Sequence, residues 1–278
     1  MDDEESVFWS RSSVNSARFL YLETKSSGRS FLEWVRVWGL TLCCIVVVSG
    51  VVSCKPKPTT PAPITEDEFR VAREKLAAEL GGRIKDQRVL EAIRTIPRHE
   101  FVPERYQDKA YDDTSVPIAE DQHISQPFVA ALMAELLELK GGEKVLEVGT
   151  GIGYQAAILG RLVAEVYSIE IRKSLKESAG KKLKELRERQ VLTCKELKII
   201  LGDGSRGYPK AAPYDCIIVT AACSSVHPEL FEQLKPGGRL VIPVGKRTQE
   251  LKLIHKLADG SRKTETIKIV RFPLIIEQ

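Results

Sequence analysis

The residues whose types and spacing could do chemistry lie in one stretch, KVLEVGTGIGYQAA at 144–157. An apolar run containing Glu147 meets three glycines at alternate positions, Gly149, Gly151 and Gly153, with Thr150 between the first two. A helix-compatible run follows. This is the pattern of a buried strand, a tight turn and a helix, the place where α/β proteins hold a cofactor beyond the carboxyl end of a strand. Glycine suits such a turn because the backbone takes positive φ and a ligand approaches closely. A dinucleotide site would read G-x-G-x-x-G, yet Tyr154 stands where its third glycine belongs, and Glu147 precedes the first glycine by two residues. A pyrophosphate has little use for a carboxylate there; a cofactor carrying an ammonium group does.

Two further acids fall in step with the turn. Glu170 ends the next strand-like run, near the spacing of roughly 20 residues at which a ribose-binding acid follows a nucleotide-binding turn. A carboxylate there can accept both ribose hydroxyls. Asp203 ends the run after that and is followed by Gly204, which frees the backbone to approach an adenine edge. Each acid alone reads equally well as a strand-end residue capping the next turn. Three in register with the glycines favour a ligand.

The elements that must position these residues alternate. From residue 144 the order is strand, helix, strand, helix, strand, strand, helix, strand, the strands being KVLEVG, AEVYSIEI, LKIILGD, YDCIIVTAA and GRLVIPVG. That order implies a mostly parallel, doubly wound sheet with right-handed crossovers. Segments 250–257 and 264–272 flank Asp259-Gly260, a hairpin signal that adds antiparallel strands at the C-terminus. Ahead of the turn, Thr65 and Glu68 make a capping box for a helix with Phe69, Ala72, Leu76 and Leu80 on one face. A second helix from about Asp86 carries Val89, Ile93 and Ile96 inward and stops at Pro97. Too small to fold alone, the pair reads as a lid or flank. Residues 97–126 show no clean period and read as an irregular segment packed over something functional. Pro127 opens a helix with Val129, Leu132, Met133 and Leu136 as its buried face, and Ser125 is placed to cap it.

Together the motifs resemble a Rossmann-like class I S-adenosylmethionine-dependent methyltransferase. In detail the chain is similar to the protein-L-isoaspartate (D-aspartate) O-methyltransferases. The resemblance rests on PRHEFVP at 97–103, ISQP at 124–127, VLEVGTGIGYQAA, GDGSRGYPKAAPYDCIIVTAA and QLKPGGRLVIPVG, together with Gln249, and runs from about residue 66 to 274. It departs from the family's frequent T-I-S before the glutamine-proline pair, because His123 replaces the threonine. The resemblance implies S-adenosyl-L-methionine as cofactor and isoaspartyl-containing proteins as substrates. The free carboxylate attacks the cofactor's methyl group, and the ester then leaves through a succinimide. It implies Ser125 as the hydroxyl that positions the carboxylate, and Ile118 and His123 in a segment covering the cofactor. Glu147, Gly149, Thr150, Gly151 and Gly153 would face its methionine end, Glu170 the ribose, and Asp203 and Gly204 the adenine. Two other readings stay open at this point: a methyltransferase of another carboxylate, and a non-catalytic module keeping the fold.

Composition is that of a globular protein, 43% hydrophobic and 29% charged over 278 residues, and a net charge of +4 without aromatic-interleaved basic blocks gives no case for nucleic acid. No C-x-x-C and no metal-ligand spacing occurs; Cys216, inside an apolar run, reads as a small core residue. Residues 1–36 are a polar leader, 37–54 an uncharged apolar segment that fits a signal peptide or anchor, 55–64 a Pro-rich linker, and 65–278 the methyltransferase domain. VVSC at 51–54 resembles the lipobox of bacterial lipoproteins, which would put a lipid on Cys54 and the domain on the periplasmic side of a membrane. A plain anchor with the domain facing the cytoplasm is the alternative. Only Met1 and Met133 are present, so a start at a valine such as Val35 would account for the long leader.

Overall fold

A computed structural model describes residues 63–118 and 122–276. The leader, the apolar segment, Cys54 and most of the linker lie outside the described residues. Glu66–Leu80 (α1) begins at the expected capping box: the Thr65 side chain accepts from the Glu68 amide at 3.3 Å, and Glu68 accepts from the Thr65 amide at 2.8 Å. Gln87–Thr95 (α2) is capped by Asp86 and ends before Pro97. Both pack into the main core, with Leu80, Ile84, Leu90, Ile93 and Ile96 almost fully buried. They flank the domain and are no lid, because the walls of its main cavity begin only at Ser115.

The segment at 97–126 is ordered by turns too short to leave a periodic trace. Two 3₁₀ turns, Arg98–Phe101 and Glu104–Lys109, are followed by a hairpin of two-residue strands, Val116–Pro117 (β1) and His123–Ile124 (β2). Its organiser is Arg98, which is fully buried. Its Nε donates to the Ala110 carbonyl at 2.8 Å, Nη2 to the Thr114 carbonyl at 3.4 Å, and its guanidinium lies 4.8 Å from the Tyr154 ring centroid. His99 stacks on Phe69 at 3.9 Å and meets the Tyr111 hydroxyl at 2.7 Å, tying α1 to the same segment.

Pro127–Leu136 (α3) precedes the sheet. The strands are Lys144–Val148 (β3), Glu165–Glu170 (β4), Glu196–Leu201 (β5), Tyr214–Val219 (β6), Leu234–Val244 (β7), Gln249–Lys256 (β8) and Arg262–Val270 (β9), in the spatial order β5-β4-β3-β6-β7-β8-β9. Pairings from β5 through β7 are parallel; β7–β8 and β8–β9 are antiparallel. The helices Tyr154–Leu162 (α4), Lys173–Glu188 (α5) and Pro228–Glu232 (α6) make the crossovers. This is the expected doubly wound sheet with its C-terminal hairpin. Strand β7 starts four residues before the apolar run GRLVIPVG suggests, with Lys235-Pro236-Gly237-Gly238 carried in its first half and the β6 pairing irregular there. Alternate residues of β3 enter different cores: Val145 packs with α1 to α5, Leu146 and Val148 with α6 and the opposite face. Cys216 is a buried core residue of β6, as its apolar surroundings imply. After β3 the chain builds β4 and β5 on one side, then crosses back to β6 on the other, so a crevice opens outside the carboxyl ends of β3, β4 and β6.

Candidate active site

That crevice is a cavity of about 1060 Å³, in the range of small-molecule sites. Four separated parts of the chain wall it: the hairpin and its sequel into the start of α3, the glycine turn with the ends of β4 and β6 and Gly204, the β7–β8 turn at 247–249, and residues 268–276. Of the residues nominated from sequence, Ile118, His123, Ser125, Gly149, Thr150, Gly151, Glu170 and Gly204 all line it.

The glycine turn has the geometry its composition implies. Gly149, Gly151 and Gly153 all take positive φ. A Cβ built on Gly149 would stand 2.6 Å from Thr220 Oγ1, and one on Gly204 would collide with Val148 Cγ1. The Gly149 and Thr150 amides both donate to the Ile169 carbonyl, at 2.9 and 3.1 Å, so β4 holds the turn. Glu170 holds it from the other side. Its Oε2 accepts from the Gly151 amide at 2.7 Å and its Oε1 from the Arg172 amide at 3.0 Å. Each oxygen keeps a free lone pair for a ligand hydroxyl. Tyr154, out of place for a dinucleotide motif, is buried edge-on to Phe101 at 5.6 Å and beneath Arg98, so that position anchors the irregular segment.

Three expectations need correction. Glu147 does not face the cavity. It shares the Val145 side of β3, is fully buried, and accepts a short hydrogen bond from Ser168 on β4, which in turn meets Thr150 Oγ1 at 2.5 Å. Its other oxygen has no partner. Gly153 also stays off the cavity wall; it is the left-handed N-cap of α4, and a side chain there would press on Ala179 and Leu183 of α5. Asp203 is not among the residues of the cavity wall; its Oδ1 accepts from the Ser205 amide at 2.9 Å and caps a 3₁₀ turn, the capping role left open from sequence. The reverse holds at Ser125. The first amide of α3, that of Phe128, is served by Asp113, whose Oδ1 accepts from it at 2.8 Å, while Gln126 Nε2 donates to the Asp113 carbonyl at 2.9 Å. No side chain caps α3 from the Gln126 position, and Ser125 stands half-buried in the cavity wall.

Residues that the sequence did not single out complete the arrangement. Ser168 joins Glu147 to the turn, Thr220 Oγ1 donates to the Val148 and Gly149 carbonyls at 3.0 and 2.5 Å, and Asp113 frees Ser125. Gln249, quoted only as part of a motif, grips Phe272: its Nε2 donates to the carbonyl at 2.9 Å and its Oε1 accepts from the amide at 2.6 Å, fixing the 268–276 wall. None of these pairs is close in sequence.

Burial pushes the Glu147 carboxyl up from the ordinary 4.5 to about 8; the Ser168 hydrogen bond pulls it back and the charge of Glu170 adds to the rise. The folded state therefore holds this proton more tightly than the unfolded chain. The stability it contributes is complete below 4.5 and is lost as pH rises through about 8, by up to about 1.4 kcal/mol per pH unit. Denaturant unfolding is expected to show wild type losing stability between about pH 4.5 and about pH 8, and Glu147→Gln, with no proton to release, losing less. Equal losses in the two proteins would assign the effect elsewhere.

A family model described as Protein-L-isoaspartate(D-aspartate) O-methyltransferase (PCMT) matches residues 73–277. The chain belongs to this family. Among its relatives, protein-L-isoaspartate O-methyltransferase 1 of Cupriavidus necator is 49% identical over 202 residues, 72% of this chain and 76% of the relative. The Opitutus terrae protein-L-isoaspartate O-methyltransferase is 50% identical over 191 residues, 68% and 79% of the two chains. A solved protein-L-isoaspartate O-methyltransferase is 31% identical, with a TM-score of 0.63 over 73% of this chain and 65% of its own. A Plasmodium falciparum PCMT in complex with S-adenosyl-L-homocysteine, 23% identical, shares the fold with a TM-score of 0.65 over 74% of this chain and 99% of its own. For a PCMT, the cradle at Gly149 and Gly204 and the two-oxygen acceptor at Glu170 fit a bulky adenosyl cofactor. Among the described residues no helix is long and apolar enough to cross a membrane; the apolar segment at 37–54 is not among them.

Proposed function

We propose that Ser125, the glycine turn and Glu170 carry out the family's reaction in this chain, and that the domain is tethered to a membrane through its N-terminal segment. The protein is an S-adenosylmethionine-dependent protein-L-isoaspartate O-methyltransferase, acting on isoaspartyl-containing proteins. The observation that supports the residue roles is that one cavity gathers Ser125, Glu170 and the Gly149–Gly151 turn from distant parts of the chain.

When bound, S-adenosylmethionine supplies a methyl group on a sulfonium centre. The isoaspartyl carboxylate, of pKa about 3.5, is ionised at neutral pH, so the site needs no general base. What the residues must do is hold and dry the reactants. Ser125 donates its hydroxyl to the carboxylate and orients one oxygen for attack. Glu170, fixed by two backbone amides, receives the ribose hydroxyls, and Gly204 lets the adenine lie against the backbone. Thr150 and Gly151 fit the methionine end, with Glu147 acting from beneath through Ser168. Ile118 and His123 close the hairpin side against water.

Transfer of radiolabelled methyl to an isoaspartyl peptide and to its normal aspartyl twin tests the reading. Transfer to the first alone is expected. Ser125→Ala should lower kcat/KM by about 10- to 100-fold, the worth of one hydrogen bond to a charged group, while leaving cofactor affinity unchanged. Equal transfer to both peptides would point to another carboxylate substrate. Cofactor binding without any transfer would make the domain a binding module.

The tether rests on the uncharged segment at 37–54 and the VVSC that ends it. Lipidation at Cys54 would leave the domain on the periplasmic side, where the cofactor must be supplied from the cytoplasm; a plain anchor facing the cytoplasm avoids that difficulty. Labelling with a palmitate analogue, lost in Cys54→Ser, distinguishes them. D-Aspartyl residues are a second substrate of the same site.

A further inference from the structure

The outer wall of the cavity carries charge that methyl transfer does not require. Arg247, from the β7–β8 turn, Lys268, from β9, and Arg271, just beyond it, all line the wall. The two arginines are exposed. Lys268 is half-buried, its Nζ 4.6 Å from the ring centroid of Phe128 in the first turn of α3, three residues after Ser125. None of the three pairs with a carboxylate among the described residues. Their neighbours on the same two strands do: Lys252 with Glu250 at 3.3 Å and Lys263 with Glu265 at 2.7 Å. The sole carboxylate in the described wall is Glu170, already engaged by two amides. Ile269 and Leu274, which line the same cavity, stand 59% and 52% exposed and offer apolar surface to anything lying across it.

Like charges left unpaired around one opening repel each other and concentrate anions there. A single isoaspartyl carboxylate, held at Ser125, cannot serve all three. We propose that Arg247, Lys268 and Arg271 form a rim that selects isoaspartyl segments bearing further acidic residues beside the damaged one. This deepens, and rests on, the methyltransferase reading above.

The test compares two isoaspartyl peptides that differ only in flanking residues, glutamate in one and lysine in the other, using the full chain in detergent. At low salt kcat/KM should favour the acidic peptide by about tenfold, the combined effect of a few surface pairs, and the ratio should fall toward one at about 0.5 M salt. In Arg247→Gln/Arg271→Gln, where both side chains are exposed and folding is not at stake, the ratio should shrink through KM and not kcat. Equal kcat/KM for the two peptides at low salt, or a ratio that the double substitution leaves intact, would overturn the proposal. Absence of transfer to either peptide is a different result: it would remove the methyltransferase reading, and the rim with it.

Discussion

Gly149→Ala is expected to abolish useful cofactor binding, raising Kd by about a hundredfold, the scale on which a displacement of roughly 1 Å acts in a preorganised site. Two effects combine. The residue sits at φ +95°, where an L side chain costs about 1–2 kcal/mol. Its Cβ would also stand 2.6 Å from Thr220 Oγ1, the hydroxyl that donates to the Val148 and Gly149 carbonyls. The turn cannot yield by itself, because Ile169, Glu170 and Thr220 all hold it. Calorimetric titration with S-adenosylhomocysteine reads the loss. Adding Thr220→Ala removes the nearest obstacle but not the φ requirement, so partial recovery separates the steric share from the conformational one. Wild-type affinity in the single variant would refute the fixed-turn account.

The second large effect is expected at Arg98. Arg98→Ala should cost about 3–4 kcal/mol of stability, since it leaves the Ala110 and Thr114 carbonyls without their donor and opens a void against Tyr154. Urea unfolding measures it, through a lower midpoint at unchanged slope. Arg98→Lys should recover only part: an ammonium cannot span both carbonyls in the fixed fork of a guanidinium. Because residues 110–114 lead directly into β1, and Asp113 serves the start of α3, the same change should also weaken peptide binding at Ser125. A Tm and peptide KM both equal to wild type would show that Arg98 organises nothing.

What the sequence made legible was local. The capping box at Thr65, the stop at Pro97, the strands β3 to β6 and the Asp259-Gly260 hairpin signal each depend on residues a few positions apart, and each lies where expected. The placement of side chains around the cavity did not follow in the same way. Glu147 looked like a ligand because of its distance from Gly149, yet its orientation is set by strand alternation and its partner by a neighbouring strand, at Ser168. Ser125 looked equally fit to cap α3 or to face a substrate. Asp113, which settles the matter by taking the cap, is no nearer in sequence than many other acids. The two-residue strands β1 and β2 are too short for any period, and the glycine pair inside β7 hid that strand's true start.

The Gln249 clamp on Phe272 also orders events in time. The wall it fixes is made of residues 268–276, which are synthesised after the hairpin and the glycine turn that make the opposite walls. A chain folded only as far as β7 has the turn without that wall. The complete cavity therefore waits on β8 and β9, which must join the sheet before residues 268–276 can close it. Any route that moves this chain across a membrane unfolded would deliver it empty.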